Sequence, residues 1–76
     1  MRIAGHVIVD SGDMAGGQMM AADGTSEHFT NQPSAAQVYP SYTEAAAALP
    51  AASGRFAGQR LVVRPLMVDT GGRYHW

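Results

Sequence analysis

Three histidines, a glycine-rich loop and two neighbouring aspartates are the residues of this chain with the most obvious chemical reach. His6, His28 and His75 have the side chain most used to ligate metals. A metal site wants its ligands at short helical or hairpin spacing, held by supporting hydrogen bonds. These three lie in separate segments, with no His-x-x-x-His and no cysteine in the chain, so they read as isolated histidines. Gly12 to Gly17 invites comparison with a phosphate loop, which must end in Gly-Lys-Ser/Thr and open a helix. Here Gln18-Met19-Met20 follows and the chain has no lysine, so the stretch reads as a hairpin loop. Asp10 and Asp13 resemble an acid–base pair in spacing, but such a pair works by having its pKa values pushed apart in a closed site, and these two sit in a loop by composition. None of the serines lies in a Gly-x-Ser-x-Gly elbow. The expectation is a protein without catalytic residues, metal or cofactor.

Two further groups suit binding better than catalysis. Asp10, Asp13, Asp23 and Glu27 fall in or near the loops of the first two hairpins and would form an acidic rim if those turns share an end. Met14, Met19 and Met20 lie beside them, and methionine adapts well to a partner surface. At the other end of the chain, Arg60, Arg64, Arg73, Tyr74 and Trp76 would share one region if the last two strands pair. A basic surface interleaved with aromatics suits nucleic acid, although a net charge of −1 gives no overall attraction to phosphate. Charge is uneven along the chain. Residues 1–44 carry Arg2 against Asp10, Asp13, Asp23, Glu27 and Glu44, whereas residues 45–76 carry Arg55, Arg60, Arg64 and Arg73 against Asp69.

The elements that must position these residues are legible from local pattern. In Pro40 to Pro50, Ser41 can accept the N–H of Glu44 while the Glu44 carboxylate reaches back to the N–H of Ser41, a capping box that starts a helix. Pro50 removes a helical hydrogen bond and crowds the Ala46 carbonyl, which predicts an end or a kink there. Ile3 to Val9 reads as a strand, with Val7 and Val9 on one face and His6 and Ile8 on the other. Gln18 to Ala22 returns as a second strand, Asp23-Gly24 is a two-residue hairpin signal, and Thr25 to Thr30 makes a third. Asn31 to Gln37 suits a helical turn capped by Asn31 or Thr30. Ala51 to Gln59 reads as a connector. Arg60 to Val68 is the clearest strand, and Pro65 marks one side of it as an edge or a bulge. Gly71-Gly72 then permits a hairpin into Arg73 to Trp76. The expected fold is α+β, in the order β-β-β-α-β-β: a small antiparallel sheet with one helix packed on one face.

Seventy-six residues form a single small domain that buries about 60% of its unfolded surface, so a single-layer core is expected. The absence of cysteine fits a reducing cytoplasm. The apolar run at the N-terminus is too short and interrupted for a membrane span or a signal peptide. The expectation is a cytoplasmic protein with no membrane partner.

The stretch from Phe29 through Val38-Tyr39-Pro40-Ser41-Tyr42-Thr43-Glu44-Ala45 to Leu49, followed by Leu61-Val62-Val63-Arg64-Pro65-Leu66, resembles a pattern in short phage and prophage proteins. In these, an aromatic-Thr pair precedes a turn, an aromatic, a capped Glu-Ala helix and a closing strand. Some proteins of this size and build are anti-CRISPR inhibitors. That resemblance implies binding without catalysis, to a host CRISPR effector surveillance complex of type I, on a surface that must contact DNA. The residues it implies are Asp10, Asp13, Asp23 and Glu27 as an acidic edge, with Met14 and Tyr42 as apolar anchors. The alternative is a small nucleic-acid-binding or regulatory module using Arg60, Arg64, Arg73 and Tyr74. A third possibility is a homodimer, with the edge around Pro65 or the C-terminal strand as its seam.

Overall fold

The structure is a computed structural model that describes residues 1–12, 17–22 and 28–76. It is an α+β domain of five strands and one long helix, in the order β1 (Arg2–Asp10), β2 (Met19–Met20), β3 (Phe29–Thr30), a short 3-10 helix (Pro33–Ala35), α1 (Tyr42–Arg55), β4 (Leu61–Val68) and β5 (Tyr74–His75). The strands form one antiparallel sheet in the spatial order β3-β2-β1-β4-β5. The expected α+β class holds, with the second and third strands shorter than expected and a 3-10 helix ahead of α1. The Asp23-Gly24 hairpin signal lies outside the described residues.

Most of the sheet is the long pairing of β1 with β4, from Arg2 opposite Val68 to Asp10 opposite Leu61. Ala4 is an extra residue in β1, where the register steps from Ile3–Met67 to Gly5–Leu66. This bulge matters because Gly5 follows it. A Cβ there would lie 2.5 Å from Val38 Cγ1 and 2.9 Å from the Tyr39 carbonyl oxygen. Only glycine lets Val38-Tyr39 come this close. Tyr39 exchanges both backbone hydrogen bonds with His6, each at 2.8 Å. Further along the same segment, Gln37 N–H reaches the Met20 carbonyl and Ala22 N–H the Ala35 carbonyl. Residues 35–39 thus wedge between β1 and β2 where those strands part. Neither Asn31 nor Thr30, the expected caps, holds the cap position of the 3-10 helix; the Thr30 hydroxyl oxygen instead accepts the Gln32 N–H at 3.0 Å. Gln32, at the cap position of the 3-10 helix, makes no side-chain cap bond.

The core has two layers, not the single layer expected from length. Val7, Ile8 and Val9 are 0%, 0% and 2% exposed, so β1 is buried on both faces. Ile8, with Met20, Leu61 and Val63, packs under α1 residues Ala48, Leu49 and Ala52 and under Phe56. Val7 and Val9, with Met19, Leu66 and Val62, pack under Ala36 and Trp76. The Trp76 indole reaches across this second face and donates its Nε1–H to the Gly17 carbonyl at 3.1 Å.

The helix departs from expectation at its far end. Its start keeps half of the expected box: the Ser41 hydroxyl accepts the Glu44 N–H at 3.1 Å, but the Glu44 carboxylate accepts from the Ser41 hydroxyl, at 3.2 Å, and not from the Ser41 N–H. It then runs through Pro50 to Arg55, so of the expected end or kink the end does not occur, and the 51–59 connector is correspondingly short. Pro50 is exposed. Ala52 and Phe56 hold the next turn onto the sheet, with the Phe56 ring edge-on to Phe29 at 4.9 Å and the Phe56 N–H bonded to the Ala52 carbonyl. Tertiary packing outweighs the local penalty of proline.

Two substitutions test this account by chemical denaturation. Gly5→Ala should destabilise the domain by about 1–3 kcal/mol through overpacking. Pro50→Ala should stabilise it by about 2 kcal/mol, because the Ala46 carbonyl regains a donor.

Candidate partner-binding surface

The sheet is longer than the helix that covers it. On the α1 side, pairing sets Ile3 opposite Met67 and Met67 opposite His75, with His6 opposite Pro65. Directly opposed side chains stand on the same face, so Ile3, Met67, Pro65 and His6 form a continuous row. The α1 residues that cover Ile8 and Leu61 come from the middle and end of the helix, and its first residue, Tyr42, stands beside His6 with ring centroids 6.0 Å apart, edge-on. The row beyond Tyr42 therefore lacks a helical cover. Ile3 is 57% and Tyr42 60% exposed, Pro65 is exposed and Met67 half-buried. This is an apolar shelf with an aromatic ring at its inner end. Exposed contiguous apolar surface marks interaction sites more often than scattered single residues do. His6 Nδ1, under the shelf, is buried without a hydrogen-bond partner among the described residues.

The outer end of the shelf is closed by a polar hairpin. Asp69 and Arg73 flank a three-residue loop: Asp69 N–H bonds the Arg73 carbonyl and Gly72 N–H bonds the Asp69 carbonyl. Gly72 has φ +81°, the left-handed conformation that this loop class requires and glycine tolerates, as the Gly71-Gly72 reading expects. The Asp69 carboxylate gathers three partners: His75 Nε2 at 3.0 Å, and the N–H groups of Arg73 and Gly71, each at 2.9 Å. The His75 bond first, and the Arg73 N–H next, hold its carboxyl below the ordinary carboxylate value.

The residues singled out from sequence disperse over the molecule. Tyr42 is on the shelf. Asp10 ends β1, four residues beyond His6 and so about 13 Å along the strand, with its Oδ1 accepting the Gly12 N–H at 3.0 Å. It lines an open polar recess of about 580 Å³ with Ser11, Gly12, Gly58, Gln59 and Arg60. Asp13, Met14, Asp23 and Glu27 lie outside the described residues. Arg60 precedes β4 at that recess. Arg64, opposite Val7, and Tyr74, opposite Val68, share the sheet face away from α1, as does Arg2, also opposite Val68. Arg73 is next to Tyr74 in sequence, but strand alternation sends it to the side of His75. The histidines stay apart: His6 by Tyr42, His28 against the Phe56 ring at 5.5 Å, and His75 on Asp69. Among the described residues no group of three His, Cys, Asp or Glu could hold a metal, and no helix is long and apolar enough to cross a membrane.

Sequence reasoning placed Pro65 at an edge but missed Ile3 and Met67 as surface residues. The available signal was the pairing of an isoleucine ahead of a glycine in β1 with a proline in β4, but it has meaning only once the register is known.

No protein-family model matches this chain, and neither a curated protein nor a solved structure matches it.

The pH response of the hairpin follows from the sign of the Asp69 shift. A carboxyl lowered in the folded state binds its proton less readily than in the unfolded chain. Its stabilising contribution is full above the unfolded value of about 3.9 and is lost as pH falls through the lower folded value. In an NMR titration the Gly71 and Arg73 amides should move together below about pH 4, and the movement should be absent in Asp69→Ala.

Proposed function

We propose that this protein works by binding and not by catalysis, as a phage-derived inhibitor acting in the host bacterial cytoplasm on a type I CRISPR effector complex, where it blocks DNA recognition. The observation that carries the binding part is the uncovered apolar shelf of Ile3, Pro65 and Met67 with Tyr42 at its end. A fold of this size does not need to leave two exposed apolar side chains, a half-buried methionine and an exposed tyrosine in one row, and a protein partner supplies the missing cover. The class of partner comes from the resemblance of residues 29–66 to short phage proteins and anti-CRISPR inhibitors. Tyr42 is common to both lines of argument, and an aromatic anchor is a preferred centre for an interface. Asp10, Asp13, Asp23 and Glu27 would add an acidic edge facing the Lys and Arg that line a DNA-binding surface.

A second reading rests on the sidedness of charge. Arg2, Arg64 and Tyr74 share the face away from α1, while the described side-chain carboxylates, Asp10, Glu44 and Asp69, lie on α1 or on its side of the sheet. That face suits a nucleic-acid-binding module, with Arg60 at its margin.

One binding experiment separates the two. Immobilised protein is offered a purified type I effector complex, and then single-stranded and duplex DNA over a salt series. The inhibitor reading expects capture of the complex, release of its DNA, and a loss of about 2 kcal/mol of affinity, roughly thirty-fold, in Tyr42→Ala. Joint charge reversal at Asp10, Asp13, Asp23 and Glu27 should weaken capture by several kcal/mol if those carboxylates face buried Arg or Lys. DNA binding that falls steeply with salt and disappears in Arg64→Glu would instead establish the second reading.

A further inference from the structure

β4 has an outer edge that the sheet does not use. β5 pairs only with Met67 and Val68, so Leu61 to Pro65 have β1 on one side and no strand on the other among the described residues. Two hydrogen bonds fix which backbone groups face outward. Ser11 N–H bonds the Arg60 carbonyl, so the even-numbered residues turn their polar groups to β1. Asp69 N–H bonds the Arg73 carbonyl, so the odd-numbered ones face β5 and the edge beyond it. The unpaired groups are therefore the N–H and C=O of Leu61 and Val63 and the C=O of Pro65. At the other margin of the sheet β3 is only Phe29–Thr30. A longer open edge is a template for another strand unless it is blocked.

The occupant follows from the edge's own sequence. We infer that β4 pairs with β4 of a second copy, antiparallel about a two-fold axis through Val63. In that register each Val63 N–H meets the other copy's Val63 carbonyl, and each Leu61 N–H meets the other copy's Pro65 carbonyl. Pro65, which has no N–H, is asked only to accept. Arg64 falls opposite Val62, so no like charges are opposed. Moving the axis to Val62 would set Arg60 against Arg64, and moving it to Arg64 would set the two Arg64 side chains against each other. Like charges directly opposite each other destabilise a strand pair. Pro65 and the arriving β5 also end the pairing, so the contact closes on itself as a dimer and does not propagate. The two helices lie on the same side of the joined sheet. Ile3, Met67 and Tyr42 stay outside the seam, and Pro65 belongs to both the shelf and the seam. The proposal rests on the backbone groups of β4 and not on the partner read above.

Sedimentation equilibrium and amide exchange test this together on the intact protein. The expected mass is twice 8.0 kDa, and exchange at the Leu61 and Val63 amides should slow about tenfold as the protein is concentrated. The Val62 and Arg64 amides, which face β1, should not respond. The chain has no cysteine, so Val63→Cys should oxidise to a disulfide-linked dimer, since paired strands hold opposed Cα atoms within disulfide reach. Ser53→Cys, on α1, should not. A monomer at all concentrations overturns the inference, as does a dimer in which Leu61 and Val63 exchange is unchanged and Val63→Cys fails to cross-link. Protection of those amides only after adding a foreign partner would overturn the second copy as occupant.

Discussion

The run Val7-Ile8-Val9 is buried on both sides of the sheet, and most of the architecture follows from covering it. A strand with apolar residues on both faces needs two covers, and a chain of 76 residues has little to make them from. One cover is α1. Its useful contacts come late, at Ala48, Leu49, Ala52 and Phe56, so the helix must continue past Pro50 to deliver them. The other cover is assembled from pieces: Ala36 from the wedge segment and Trp76 from the end of the chain. The Asp69–Arg73 hairpin exists in this scheme to turn the chain back so that Trp76 can reach Gly17.

The surface features are what this covering leaves over. A helix that starts beside His6 cannot also roof Ile3 and Met67. A fifth strand that pairs only Met67 and Val68 cannot also pair Leu61 to Pro65. The apolar shelf and the open edge of β4 lie at different places for the same reason: each cover is shorter than the sheet beneath it. Two separate sites of association on so small a domain are therefore compatible, one backbone-directed and one side-chain-directed.

Features carried by near neighbours in sequence were legible before the structure. The Ser41 cap on the Glu44 N–H, the Gly71-Gly72 hairpin and the meaning of Pro65 as an edge residue each depend on a few consecutive positions, and each holds. The reading failed where distant residues decide. Of the end or kink that Pro50 predicts, the end does not occur, because the aromatic contact of Phe56 with Phe29 that holds the next turn is invisible locally. The second core layer was missed because nothing near Val7 announces that Trp76 will cover it. Of the candidate binding residues, Tyr42 stands on an exposed apolar row. The rest of that row needs the Ala4 bulge, which sets whether Ile3 falls on the α1 side or on the opposite face. The expected basic group lost Arg73 because adjacent residues in a strand point to opposite faces.

The dominant pairing also imposes an order of events during synthesis. β1 ends at Asp10, but its partner along its full length, β4, begins at Leu61, on the order of 50 residues later. At roughly 5–20 residues per second that is a wait of about 3–10 s, during which Val7-Ile8-Val9 has neither its central neighbour nor either complete cover. Contacts this distant in sequence also fold slowly once available. The doubly buried run is made well before it is protected, so the yield of native protein depends on what shields the nascent β1 in the interval as much as on the stability of the finished fold.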